Sequence, residues 1–151
     1  MRRAKTILAK GAWHEKDAVG IVLLTYGERY RRRIMLTDTE GGELLLDLEK
    51  TRLLQDGDGL LLDGGKIVLV RAADEPVADI SAATPAAIAR LAWHIGNRRT
   101  PLQILPDGSL RIRNDGVLAK MAEGLGGTVT FKHAPFSPEP GAHGQIKDGH
   151  D

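Results

Sequence analysis

The chain contains no cysteine, which removes disulfide frameworks, thiolate zinc sites and cysteine nucleophiles from consideration. Aromatic residues are scarce at 4%. The core must therefore be built from Leu, Ile, Val and Ala, and stacking platforms for single-stranded nucleic acid are not expected. Long apolar runs are missing as well. The N-terminal MRRAKTILAKGAWHEKDAVG is broken by Lys10, His14, Glu15, Lys16 and Asp17, so neither a signal-peptide core nor a membrane span can be drawn. A formal net charge of +1 gives no global pull toward nucleic acid or an anionic membrane. The expectation is a cytoplasmic protein with no nucleic acid and no membrane as partner.

Catalytic templates are also lacking: there is no G-x-S-x-G, Walker A, G-x-G-x-x-G or H-E-x-x-H. Asp56-Gly57-Asp58-Gly59 resembles the start of a calcium loop but has no later bidentate glutamate at the required spacing, so it reads as a turn. The neighbouring carboxylates Asp74/Glu75 and Asp38/Glu40 read as solvated surface. No enzymatic activity is expected.

What is present is ordinary globular material, 42% hydrophobic and 27% charged over 151 residues. From Thr6 to about Ala73 short apolar runs alternate with turn residues: Ile21 to Leu24, Ile34 to Leu36, Leu44 to Leu48, Leu60 to Leu62 and Ile67 to Val70. Glycine-rich turns at 40–42, 56–59 and 63–65 punctuate them. Past Asp74-Glu75-Pro76 the period changes. Thr84-Pro85 caps a helix whose apolar face is Ile88, Leu91, Ala92 and Ile95. Asn114 or Asp115 caps a second, with Val117, Leu118, Met121 and Leu125 on its face and Gly124, Gly126 and Gly127 stopping it. Strands near Val77 to Ser81 and Thr128 to Phe131, with a hairpin about Pro106-Asp107-Gly108, complete a β-α-β-β-α-β order. The fold class is thus α+β: a small all-β domain over 1–73, a ferredoxin-like domain over 74–134, and a flexible tail over 135–151.

The run Arg29-Tyr30-Arg31-Arg32-Arg33 suits phosphate. In a strand, however, Arg29, Arg31 and Arg33 share one face and Tyr30 and Arg32 the other, which suits a solvated edge or a protein-docking face. A ferredoxin-like RNA binder is disfavoured, because Leu102 to Leu105 and Leu110 to Ile112 offer no aromatic pair. The remaining chemically capable side chains are histidines. His14 lies in a polar turn and His94 follows Trp93 in the first long helix. His133, His143 and His150 lie toward the C-terminus, where imidazole on a mobile segment can swing onto a metal.

The segment LAWHIGNRRTPLQILPDGSLRIRNDGVLAKM resembles the C-terminal domain of the urease accessory metallochaperone family (UreE type). The matching residues are His94, Ile95, Gly96, Asn97, Arg98, Pro101, Leu102, Gln103, Asp115, Val117, Leu118 and Met121. LTYGERYRRRIMLTDTEGGELLLDL, LLQDGDGLLLDGGKIVLV, the AADEP junction and TVTFKHAPFSPEPGAHG extend the likeness over nearly the whole chain. The resemblance implies a homodimer that associates through its C-terminal domains and binds a nickel ion between subunits, with zinc or copper able to replace it in vitro. It further implies delivery of nickel to the urease apoprotein and a GTPase-containing urease accessory complex, with the first domain as a docking module.

Two positions depart from that pattern. The histidine expected after Gly-Asn-Arg is Arg99, and the histidine of the later D-H-V-L run is Gly116. Guanidinium is always protonated and offers no lone pair, so Arg99 cannot ligate. The candidate ligands become His94, His133, His143 and His150, and the alternative is a dimeric docking scaffold with little intrinsic nickel affinity.

Overall fold

The computed structural model describes residues 1–140, which divide along the chain into two compact units between Ala73 and Asp74.

In the first unit, strands β1 (Arg2–Leu8), β2 (Gly20–Leu24), β3 (Tyr30–Thr37), β4 (Glu43–Leu53), β5 (Gly59–Leu62) and β6 (Ile67–Ala72) form one sheet in the order β2-β6-β5-β1-β4-β3. Strand periodicity sorts the side chains. Leu44, Leu46 and Leu48 of β4 point inward and are buried, joining Ala4, Val22, Leu36, Leu60, Val68 and Val70 in the core. Each such leucine contributes about 2 kcal/mol by leaving water. Leu45 and Asp47 face the other way and are half-buried.

Carboxylates tie the loops of this unit to distant backbone. Asp58, 3% exposed, accepts from the amides of Lys10 (3.0 Å) and Gln55 (2.8 Å). Asp56 accepts from the Ala72 amide. Asp38 accepts from the amides of Glu40 and Gly42 and from Arg2. Glu15, in a single 3-10 turn, pairs with Arg71. Trp13 lies over β5 so closely that a Cβ on Gly59 would sit 2.7 Å from its Cε2 and 2.8 Å from Cγ2 of Ile67. Only glycine accepts that approach without displacing one of them.

Three local features differ from the sequence reading. The sheet begins at Arg2, not near Thr6, and β1 is an interior strand. A short helix, α1 (Tyr26–Arg29), precedes β3 and starts with a capping box between Thr25 and Glu28. Arg29 ends that helix, is completely buried, and donates through Nε to the Leu24 carbonyl and through Nη1 to the Leu54 carbonyl. It therefore does not share a strand face with Arg31 and Arg33, because the chain turns before the strand begins.

The second unit has the ferredoxin-like order. Strands β7 (Asp74–Ser81), β8 (Gln103–Ile104), β9 (Leu110–Arg113) and β10 (Thr128–Pro135) form an antiparallel sheet in the order β10-β7-β9-β8, with α2 (Pro85–Gly96) and α3 (Gly116–Gly124) as the crossovers. Thr84 caps α2 by accepting from the Ala87 amide, and Asp115 caps α3 by accepting from Val117 and Leu118. Leu91 and Ile95 of α2 and Leu118 and Ala122 of α3 bury against Ala78, Ile80, Leu110 and Ile112. On the opposite face Arg111 grips Asp79 with two parallel bonds of 2.7 and 2.9 Å.

The expected tail over 135–151 starts too early. Pro135 closes β10 in register with Asp74, and Phe136 is completely buried. The Ser137 amide then donates to Oε1 of Gln103, the Glu139 amide to the Leu102 carbonyl (2.7 Å), and the Ile104 amide to Glu139 Oε1. This strap carries the chain from one edge strand of the sheet, β10, to the other, β8. A single buried ring and three hydrogen bonds order it despite its prolines and lack of periodicity.

No helix among the described residues is long and apolar enough to cross a membrane.

Candidate functional site

Of the residues singled out in the sequence, His94 and Arg99 lie where α2 ends. The final turn of α2 passes through Trp93, His94, Ile95 and Gly96. The amides of Asn97, Arg98 and Arg99 then fold back onto the carbonyls of Trp93 (2.8 Å), Ile95 (3.1 Å) and Gly96 (2.9 Å). Arg99 takes φ +55° and is the one non-glycine residue among those described with positive φ. That conformation crowds Cβ against the following carbonyl, and histidine adopts it more readily than arginine. The sharp turn points residue 99 away from the helix into solvent, where it is exposed.

His94 sits one turn earlier, half-buried, with its ring edge-on to Trp93 at 5.0 Å between centroids. Its carbonyl accepts from Nη1 of Arg98 at 3.1 Å, so the Arg98 guanidinium folds back over the helix end, where the helix dipole favours a cation. Trp93 is 64% exposed. The sequence reading passed over it, although its place outside the Ile88, Leu91, Ala92, Ile95 stripe signalled that exposure. Val117, at the start of α3, is also exposed and not part of the core face assigned to it.

His133 is exposed on β10 in register with Pro76. His143 and His150 lie outside the described residues. Among the described residues no three His, Asp or Glu side chains converge as a metal cage would require. The strap nonetheless bears on the tail histidines. Glu139, the last anchored residue before them, is bonded to Leu102, three residues beyond Arg99 in the sequence.

One depression, of about 400 Å³, lies at the opposite end of α2 between Thr84, Pro85 and Ile88 on one side and Asp107 and Ser109 on the other. Ser109 holds the Asp107 carboxyl below the usual carboxylate range by donating from both its hydroxyl and its amide. Neither His94 nor His133 lines it.

Residues 4–73 match the family model described as UreE urease accessory protein, N-terminal domain, and residues 75–151 the model described as UreE urease accessory protein, C-terminal domain. Among curated proteins, the urease accessory protein UreE of Bradyrhizobium sp. (strain ORS 278) is 45% identical over 150 residues, which is 99% of this chain and 70% of that protein. The protein of the same name from Rhodopseudomonas palustris (strain HaA2) is 44% identical over 149 residues, covering 99% of this chain and 68% of its own length. That from Chelativorans sp. (strain BNC1) is 44% identical over 151 residues, covering 99% and 92%.

Proposed function

The chain belongs to the UreE urease accessory protein family, and from that premise we propose that it carries nickel, as cargo, to urease during maturation. The family is one of accessory proteins, not enzymes. In this reading the second unit dimerises through a surface that includes α2, and Arg99 from each subunit stands near the two-fold axis. The first unit, residues 1–73, docks the urease apoprotein or a GTPase-containing accessory complex in the cytoplasm.

The observation that carries the reading is the anchoring of the strap beside the Arg99 turn. Between Glu139 and His143 the chain spans at most about 14 Å. In this reading His143, four residues beyond Glu139 in the sequence, supplies an imidazole that Arg99 cannot. His94, His133 and His150 complete the candidate ligand set, with zinc and copper as substitutes in vitro. The scaffold reading, a dimer with little nickel affinity of its own, rests on the charge of Arg99. A guanidinium about 6 Å from a divalent ion repels it by roughly 1 to 6 kcal/mol for an effective dielectric between about 80 and 20.

Calorimetric titration of the full chain with nickel tests both. Binding that disappears on deleting residues 142–151, and weakens below about pH 6.5 as imidazoles protonate, supports the carrier. No heat from the wild type, together with strong binding by Arg99→His, selects the scaffold. Equal affinities for the wild type and Arg99→His remove position 99 from the site.

A further inference from the structure

We propose that the depression beside the N-terminus of α2 is a binding site for an alkylammonium group, supplied by a free aliphatic amine or by a lysine side chain. It lies between the start of α2 and the turn joining β8 to β9, wholly within the second unit. At 1.5 Å per residue, the 12 residues of α2 put about 18 Å between this end of the helix and the end that leads to Arg99. The site is thus separate from the Arg99 turn, and the proposal stands whether or not the chain carries nickel.

The walls are of two kinds. Ala82, Ala83, Pro85 and Ile88 are apolar, and Ile88 is half-buried against the core of the unit. Across from them stands one formal charge, that of Asp107. The turn that Asp107 closes uses only one of its oxygens, because the Ser109 amide (2.9 Å) and hydroxyl (2.6 Å) both donate to Oδ1. Among the described residues no lysine, arginine or histidine pairs with this carboxylate. Holding the hairpin therefore accounts for Oδ1 and leaves a full negative charge on the wall of an apolar hollow.

The rival ligand is an anion, drawn by the start of the helix. α2 begins in a way that weakens this attraction. Pro85, at the first helical position, has no N–H, and the Ala87 amide already donates to the Thr84 hydroxyl at 3.1 Å. What remains at a helix N-terminus amounts to about half a positive charge. The whole charge of Asp107 outweighs it, and a cation is favoured.

A hard metal cation is a poor fit, because one carboxylate falls short of the six or so oxygens such an ion takes and the apolar wall would stay bare. An alkylammonium group suits both walls. Its three N–H donors can be met by Asp107 and by the hydroxyl oxygens of Ser81 and Ser109, which also line the hollow. Its methylenes then cover Pro85 and Ile88, as the stem of a lysine lies along apolar surface while its head stays polar. The volume of about 400 Å³ is at the small end of ligand sites and admits a short chain.

The test follows the backbone amide shifts of the isotope-labelled full chain by NMR at neutral pH during titration with n-butylammonium chloride. Shifts are expected within residues 81–88 and 107–109, saturating with a Kd on the order of 1 mM for a ligand of about five heavy atoms. Neutral n-butanol is expected to bind about tenfold more weakly. Asp107→Asn, which keeps an oxygen for Ser109 and removes the charge, should lose the same factor. Nα-acetyl-lysine methylamide separates the two sources: binding as tight as that of butylammonium supports a lysine side chain, and binding by butylammonium alone supports a free amine. Equal binding of n-butanol and butylammonium overturns the proposal, and this comparison on the wild type is independent of how the variant folds. Undiminished binding by Asp107→Asn overturns it too, as does the lack of a saturable shift. Acetate acting on the same amides more strongly than butylammonium would do so as well, since the helix end would then be the binding group.

Discussion

The two units hold their loops by different means. In the first, buried or half-buried carboxylates reach backbone amides far away in sequence: Asp58 joins Lys10 to Gln55, Asp56 holds Ala72, and Asp38 closes its own turn and recruits Arg2. In the second, helix caps and the Asp79–Arg111 grip act within the scaffold, and the turn after α2 is held by backbone bonds and one bond from Arg98. The difference teaches where each unit spends rigidity. The first fixes a broad, pre-shaped surface, whereas the second leaves its chemically interesting residue, Arg99, on a tight turn facing solvent.

The strongest way to break this contrast is Asp58→Ala. It leaves the amides of Lys10 and Gln55 without their charged acceptor and should cost about 3 kcal/mol. Trp13 fluorescence in a Trp93→Phe background reports on the first unit, and helical circular dichroism chiefly on the second. The loss should appear in the first signal alone, and an equal shift in both would mean that the units unfold together. Gly59→Ala comes next. Its new Cβ meets Trp13 and Ile67 inside 3 Å, and an overpacking cost of about 2 kcal/mol should show in the same Trp13 transition.

In the second unit Arg99→Gly relieves the positive φ. The gain is reduced by the freer unfolded chain, leaving a rise of about 0.5 kcal/mol in the circular dichroism transition. The smallest effect is that of acid. Arg2, together with the Gly42 amide, holds the Asp38 carboxyl below its ordinary value of 3.8. A depressed folded-state value stabilises above that ordinary value, and the contribution is lost as pH falls through the lower, folded one. Asp38→Asn should therefore flatten the dependence of the first transition below about pH 4 and leave that of the second unchanged. An unaltered acid slope in the first would show that the Arg2–Asp38 pair contributes nothing.

The ferredoxin-like unit was legible because its signals are local: Thr84-Pro85, Asp115 and the change of period each specify a boundary without reference to the rest of the fold. β1 was missed because an interior strand with one solvated face carries Arg2, Arg3 and Lys5, and only Ala4 of its length is fully buried. The capping box at Thr25 and Glu28 was a readable sign of α1, and with it of the burial of Arg29. Phe136 gave no such sign, since a lone ring among prolines has no period and its partners come from strands far away in sequence. His94 was placed on the right helix from its spacing. The conformation of Arg99 was not readable, because positive φ there follows from how the α2 turn must end before Pro101.

The interior place of β1 has a consequence for how the chain is made. Its partners are Leu44 to Leu46 and Gly59 to Leu62, so once synthesised this strand waits for residues translated much later. At about 5–20 residues per second that delay is several seconds, during which both strand edges are open to other chains. Arg2, Arg3 and Lys5, which hide the strand from pattern reading, supply like charge along it in this interval and so discourage mispairing between nascent copies.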